Sequence, residues 1–317
     1  MELLVESQGQ IYDISKMCTE MTWSDALNEG ASCLEVSYLK NGLTVQNGDT
    51  VRLTDHDQQD GIFFGTIFKI SGDQSGIIRF KAYDQLRYAK HKDIVVLENG
   101  TLGALVQSMC QFLSLTPGTI ENPGYIIPTI ADYEKTWLDH VVQAISDTLI
   151  GTREMYCLRD EYGKVCLWNM RNLQTTLVLG DKSLCTGYTW EKSIDDDFYN
   201  RIKVVWKNEA SGQMNVGVAI DQNSVNRFGL LQYLESSQSG IDNAAKAQER
   251  ANNLLKLYNH EKETLKLECL GDLRVRAGNS IYGSIEDISL ERRLIVKKAT
   301  HSFLPVHTMT VEVMTDG

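Results

Sequence analysis

Between residues 48 and 84 apolar and polar side chains alternate in runs separated by turn residues. Gly48-Asp49 leads into Val51 and Leu53; Ile62, Phe64, Thr66, Phe68 and Ile70 then share one parity. After Ser71-Gly72-Asp73 the chain returns through Ile78, Phe80 and Ala82, with Arg79 and Lys81 on the opposite face. A period of two broken by Gly and Asp predicts an antiparallel meander. Gly65, inside the middle run, predicts a bulge or tight bend.

A similar arrangement recurs over residues 278–314. A Gly turn opens into the apolar run 281–285, followed by Leu294-Ile295-Val296-Lys297-Lys298-Ala299, a turn, and His307 onward to Val313. In both stretches the central run begins roughly sixteen residues after the opening glycine and the return strand roughly thirty after it, the spacing expected of an internal duplication, the alternative being two unrelated meanders of common hairpin chemistry. Few identities accompany it.

The remaining periodicities fill in three regions. Residues 1–97 read as one β-rich unit: Leu3-Leu4-Val5 opens it, Ile11 to Ile14 is expected to pair with that run, and Leu34, Val36 and Tyr38 alternate on one face. Residues 23–28 read as a short polar connection, Tyr83 to Tyr88 closes the unit, and Lys90-His91-Lys92-Asp93 is a solvated exit. From Thr101 the period changes to that of a helix carrying Leu102, Leu105, Val106, Met109, Phe112 and Leu113, with Thr101 as N-cap. Thr136-Trp137-Leu138-Asp139 fits a capping box before Val141, Val142, Ile145 and Leu149. Asp160 to Lys164 turns a hairpin, so residues 98–182 make a small α+β insert. Residues 183–317 hold further strands, clearest at 202–207, a helix over about 241–259, a strand through Leu265, Leu267 and Cys269, and the second meander. The fold class is α+β and β-rich.

Composition narrows the functions. No uninterrupted apolar stretch reaches membrane-spanning length, and the opening MELLVESQGQ lacks a basic n-region and a cleavage site, so a chain without membrane anchor, residing in the cytoplasm of its producer, is expected. The net charge of −11 argues against nucleic acid as a partner and suits a surface past which DNA slides without sticking. The seven cysteines are scattered and never form a CxxC pair; reduced thiols filling core positions, such as Cys110 and Cys269, are the expectation.

Candidate chemistry is sparse. No phosphate-binding Gly-rich loop is present. His260-Glu261 starts like HExxH, but Thr264 stands where the second ligand belongs. His301 and His307 flank a turn and are placed to approach each other, yet two histidines without a third ligand do not make a metal site. Asp195-Asp196-Asp197 and Thr54-Asp55-His56-Asp57 read as solvated turns, lacking calcium-loop spacing. Asp84 most simply caps a turn, and the sequon at Asn99 has no bearing without export. Catalytic, metal and cofactor residues are therefore expected to be none.

Taken together, Gly48-Asp49, Gly61-Ile62-Phe63-Phe64-Gly65, Ala82-Tyr83-Asp84-Gln85-Leu86-Arg87-Tyr88, Tyr162-Gly163-Lys164-Val165, Asp197-Phe198-Tyr199-Asn200-Arg201-Ile202, Asn226-Arg227-Phe228-Gly229-Leu230-Leu231-Gln232 and Gly271-Asp272 through Ala277-Gly278 to His301 and His307-Thr308-Met309 form an ordered set. This set resembles the XkdQ/YqbQ-like baseplate hub proteins of prophage contractile tails and phage-tail-like bacteriocins, over nearly the whole chain. The resemblance implies two tube-like β-barrel domains, 1–97 and 183–317, flanking the insert and leaving no room for a fused lytic domain. It also implies a homotrimer whose six barrels adapt a six-fold tail tube to a three-fold spike around an axial channel. The tail tube protein, the central spike, other baseplate proteins and the tape measure are the partners it brings, and assembly into the particle follows the cytoplasmic stage. Arg79 and Lys81, or Lys297 and Lys298, are expected on outward strand faces near subunit contacts, the alternative being ordinary solvated positions. The competing classes are a baseplate-associated cell-wall hydrolase and a generic β-rich adaptor without ring geometry.

Overall fold

Alternation dictates the strands, and in a computed structural model they pair largely as the periodicity predicts. The structure describes residues 1–55, 61–195, 197–207, 212–236 and 241–315. The first region holds β1 (Glu2–Ser7), β2 (Gln10–Asp13), β3 (Cys18–Ala26), β4 (Cys33–Leu39), β5 (Thr50–Thr54), β6 (Phe63–Gly72) and β7 (Ile77–Tyr83). The middle region holds β8 (Val95–Leu97), α1 (Leu102–Phe112), β9 (Pro117–Ile120), β10 (Ile130–Asp132), α2 (Trp137–Thr152), β11 (Tyr156–Asp160) and β12 (Val165–Asn169). Then follow β13 (Gln174–Gly180), β14 (Cys185–Ser193), β15 (Arg201–Lys207), β16 (Met214–Ile220), α3 (Gln222–Phe228), β17 (Gln232–Glu235), α4 (Ala244–Tyr258), β18 (Lys262–Leu270), β19 (Ser280–Ile285), β20 (Leu290–Ser302) and β21 (Thr308–Thr315).

One thirteen-stranded sheet runs through the described residues in the order β14-β18-β21-β20-β3-β4-β7-β6-β5-β1-β2, with β19 and β13 branching from β20. Within it the order β5-β6-β7-β4-β3 recurs as β19-β20-β21-β18-β14. The recurrence extends to register. Thr50 faces Thr66 and Val51 faces Gly65; correspondingly, Ser280 faces Ile295 and Ile281 faces Leu294. The ladder of β6 on β7 slips between Ile67 and Lys69, and that of β20 on β21 between Val296 and Lys298. The ladder of β3 on β4 slips between Cys18 and Glu20, and that of β14 on β18 between Cys185 and Gly187. At each of these last two bulges a threonine hydroxyl donates to the facing carbonyl: Thr19 to Ser37 at 3.2 Å and Thr186 to Glu268 at 3.0 Å. The turns before β5 and β19 match as well, with Gly48 N–H donating to Ile67 O at 2.8 Å and Gly278 N–H to Val296 O at 2.9 Å. Two copies of one five-stranded unit are therefore present, each bulge adding local twist at the same place.

The structure corrects several local expectations. Gly65 is not a bulge: a Cβ there would meet Tyr83 O at 2.3 Å and the Phe63 ring, so glycine permits close approach of β6 to its neighbours. The core face of β6 is that of Phe63, Gly65 and Ile67. Residues 23–26 are not a connection but the end of β3, with Trp23 buried. The second copy is also interrupted. Between β14 and β18 the chain builds a separate three-stranded sheet, β16-β15-β17, against which α4 packs through Ala247, Ala251 and Leu254. Helix α4 starts at the Asn243 cap, Thr101 caps α1, and Thr136 with Asp139 completes the capping box of α2.

Apolar burial follows these units. Leu3, Trp23, Leu34, Val36, Phe63, Ile67 and Phe80 form the first copy's core, joined by Phe303 from the second. Leu265, Leu267, Leu294, Val296, Val311 and Val313 form the second copy's core. Helices α1 and α2 share a third core with β8, β11 and β12. Among the described residues the pairings of the large sheet leave open edges at β2, β13 and β14.

Candidate functional site

The two copies meet where β20 pairs with β3, Lys298 facing Ala26, Ala299 facing Asp25, Thr300 facing Ser24 and His301 facing Trp23. Main-chain pairing alone would be indifferent to side chain. Here a buried polar seam specifies it. Arg276 comes from the turn before β19, reaches Asp25 of β3 at 2.9 Å, and donates to Asp160 O at 3.1 Å. Its guanidinium lies 5.0 Å from the Trp23 ring centre, a cation–π arrangement. Burying an ion pair is worthwhile only when further contacts of this kind accompany it, and here Nε and Nη2 of the arginine both have acceptors.

His301 stacks on Trp23 at 5.4 Å between ring centres. One ring nitrogen, Nε2, lies 2.8 Å from Val275 O and therefore donates, and Nδ1 then accepts from His307 Nε2 at 3.1 Å. Burial above all, with His307 adding to it, lowers the His301 imidazole to about 4, so it is neutral.

Two carboxylates border the seam. Asp84 caps the 3-10 turn Gln85–Lys90, its side chain accepting from Leu86 N, Ser32 N and Ser32 Oγ at 2.9, 2.7 and 2.6 Å. Asp160 accepts from Gly163 N at 2.7 Å, while its Oδ2 is buried without a partner. Burial raises both, Asp84 to about 7 and Asp160 to about 8, Asp84 adding to the rise at Asp160. Three donors favour charge on Asp84. The proton accordingly belongs on Asp160. These groups fix one arrangement of two copies; packed at 5% exposure or less, Asp25, Asp84, Asp160 and His301 offer no surface to a substrate.

Of the residues singled out by sequence, His301 lies in the seam and Asp84 borders it. Arg79 pairs with Asp73 at 3.0 Å and Lys81 with Glu35 at 2.6 Å, both within the first copy. Lys297 is the bulged residue of β20, its carbonyl accepting from Leu27 N at 2.8 Å, and Lys298 is half-buried beside β3. His301 and His307 do approach each other. Among the described residues no set of three His, Cys, Asp or Glu side chains is arranged to hold a metal. His260 lies beyond α4, and Glu261 pairs with Arg227 at 3.2 Å. Asp197 lies 4.0 Å from Lys262, whereas Asp196, His56 and Asp57 lie outside the described residues. All seven cysteines are free, with Cys185 and Cys269 facing each other across β14 and β18.

Arg276, Asp25 and Trp23 were not marked by periodicity, because a side chain that bridges copies leaves no local pattern. One sequence signal does point to Trp23: Cys18-Thr19-x-x-Thr22-Trp23 recurs as Cys185-Thr186-x-x-Thr189-Trp190. It marks the equivalent first strands.

Comparison with known proteins agrees with this architecture. A family model described as YQBQ-like matches residues 21–314. The XkdQ protein of the phage-like element PBSX of Bacillus subtilis (strain 168) is 28% identical over 275 residues, covering 86% of this chain and 82% of its own length. The YqbQ protein of the same organism is 27% identical over the same extent. Among solved structures, the 43 kDa tail protein of prophage MuSo2 from Shewanella oneidensis matches with a TM-score of 0.72 at 11% identity, covering 99% of this chain and 98% of that one. The last likeness is one of fold. The family match spans β20, most of β21 and residues 21–26 of β3, the part of that strand that pairs across the junction, and the chain belongs to the YQBQ-like family.

Proposed function

We propose that the chain is a structural hub of a contractile-tail or tail-like baseplate, non-enzymatic, and assembled as a homotrimer. The observation that carries this reading is the duplicated five-stranded unit with matching register and bulges. Two copies per chain let three chains present six equivalent units, so a trimer meets a six-fold tail tube on one side and a three-fold spike on the other. The names of the relatives support the setting: a phage-like element for XkdQ and a prophage tail for the Shewanella protein.

In this reading residues 1–97 and 183–317 are the two tube-like domains, each closing into a barrel on assembly, and residues 98–182 are an insert between them. An axial channel runs through the ring; the tube protein, spike and other baseplate components are its neighbours, and the acidic surface keeps passing DNA from adhering. The completed particle is the protein's destination. Sedimentation velocity and negative-stain microscopy test the reading. A trimer with six lobes around a hole is expected; a particle with three unlike lobes and no hole overturns it.

A further inference from the structure

The junction inside the chain is a template for a contact between chains. Strand β20 is paired on one edge with β21 and on the other with β19 and then, from Lys298 to Ser302, with β3. Its counterpart β6 is paired on one edge with β7 and on the other with β5, whose ladder stops at Thr66. Among the described residues, no strand stands beside residues 69–72 at the end of β6 as β3 stands beside β20. The counterpart of β3 is β14, and among the described residues β14 is paired with β18 alone.

Burial reports the same vacancy from both sides. Trp23 is 2% exposed, and Trp190 in the same place of the second copy is 55% exposed. Asp25 is buried where Lys192 is exposed; Ala299 and His301 are buried where Ile70 is half-buried and Gly72 exposed. Unpaired strand edges carry main-chain donors and acceptors ready for another strand. Among the open edges of the described residues, these two are the counterparts of the edges that the internal junction joins.

We propose that β14 of one chain pairs antiparallel with the end of β6 of a second copy of this chain, Ser193 facing Lys69, Lys192 facing Ile70, Glu191 facing Ser71 and Trp190 facing Gly72. The pairing is the internal junction transposed residue by residue, so every copy in a ring has the same neighbour on each side. It deepens the hub reading and rests on it, adding which edges meet and in what register. Trp190, laid over a residue without a side chain, loses its exposure as Trp23 does against His301.

Mixed disulfide trapping tests the register. Ser71→Cys chains are mixed with Glu191→Cys chains and oxidised, with Ser71→Cys plus Lys192→Cys as the out-of-register control and unsubstituted chains as background. Adjacent strand residues point to opposite faces, so the in-register mixture is expected to give about tenfold more linked dimer than the control. Equal linkage in both mixtures, or a trimer in sedimentation with no linkage, overturns the edge pairing while leaving the hub reading intact. A chain that stays monomeric and unlinked overturns both.

Discussion

The turn before β5 and the turn before β19 share a backbone and differ in reach. Each is closed by a glycine with a left-handed φ, +97° at Gly48 and +86° at Gly278, and each donates to the same carbonyl of its central strand. At Gln46 the side chain is exposed and the main-chain N–H is met locally by Asp49, at 2.6 Å. At the matching position Arg276 crosses into the other copy and holds Asp25, Trp23 and Asp160 O. Duplication supplied the scaffold; a single long side chain turned one of two identical turns into a clamp. The clamp acts in one direction only, from the second copy to the first.

The largest effect should come from removing that asymmetry. Arg276→Gln, which installs the first copy's residue, leaves Asp25 buried without a cation and is expected to cost about 3–5 kcal/mol in urea unfolding. Gln46→Ala should change stability by less than about 0.5 kcal/mol. Similar losses from both would dissolve the distinction between the turns.

The glycines sharpen it further. Alanine at either position meets the left-handed penalty of about 1–2 kcal/mol. Nothing lies within 4 Å of a Cβ at Gly48, whereas at Gly278 it would meet Cys157 Sγ at 2.5 Å. Gly278→Ala should therefore exceed Gly48→Ala by roughly 1–3 kcal/mol, the cost of overpacking; equal melting temperatures would refute the difference in surroundings.

A smaller effect concerns protons at the clamp. Asp84 and Asp160 are raised on folding, so between the ordinary carboxylate range and about 8 the folded chain retains a proton that the unfolded chain has released. Stability from this source falls as pH rises through that window. His301, lowered on folding, acts oppositely but only below about 6.5, where the unfolded imidazole gains its proton. Between pH 6.5 and 9 the wild type should lose on the order of 1 kcal/mol more than Asp160→Asn, which cannot ionise there. Parallel melting curves for the two across that range would place the proton elsewhere.

Much of the meander was legible. Val36, Phe80 and Leu267 lie buried on the alternating faces the sequence predicts, because a half-buried strand must alternate. Capping at Thr101 and Thr136 was readable because those bonds span three residues. The first strand of the second copy was obscured: β14 is separated from β18 by the β15–β17 sheet and α4, so an alignment beginning at Gly278 never reaches the shared Cys-Thr-x-x-Thr-Trp. The bulges at Phe68 and Lys297 were hidden because a slipped ladder is a property of two strands. The clamp was hidden for the same reason at longer range, since nothing around Arg276 reveals Asp25.

That range has a consequence during synthesis. Thr22 of β3 meets Ser302 of β20, 280 positions later in the chain. At roughly 5–20 residues per second, the first copy waits on the order of tens of seconds for the strand that completes it. Throughout that interval the nascent chain displays an open edge beside Trp23, and on a polysome the nearest complementary strand belongs to a neighbouring ribosome's product. The order of translation thus sets a race between closing the chain on itself and joining it wrongly to another.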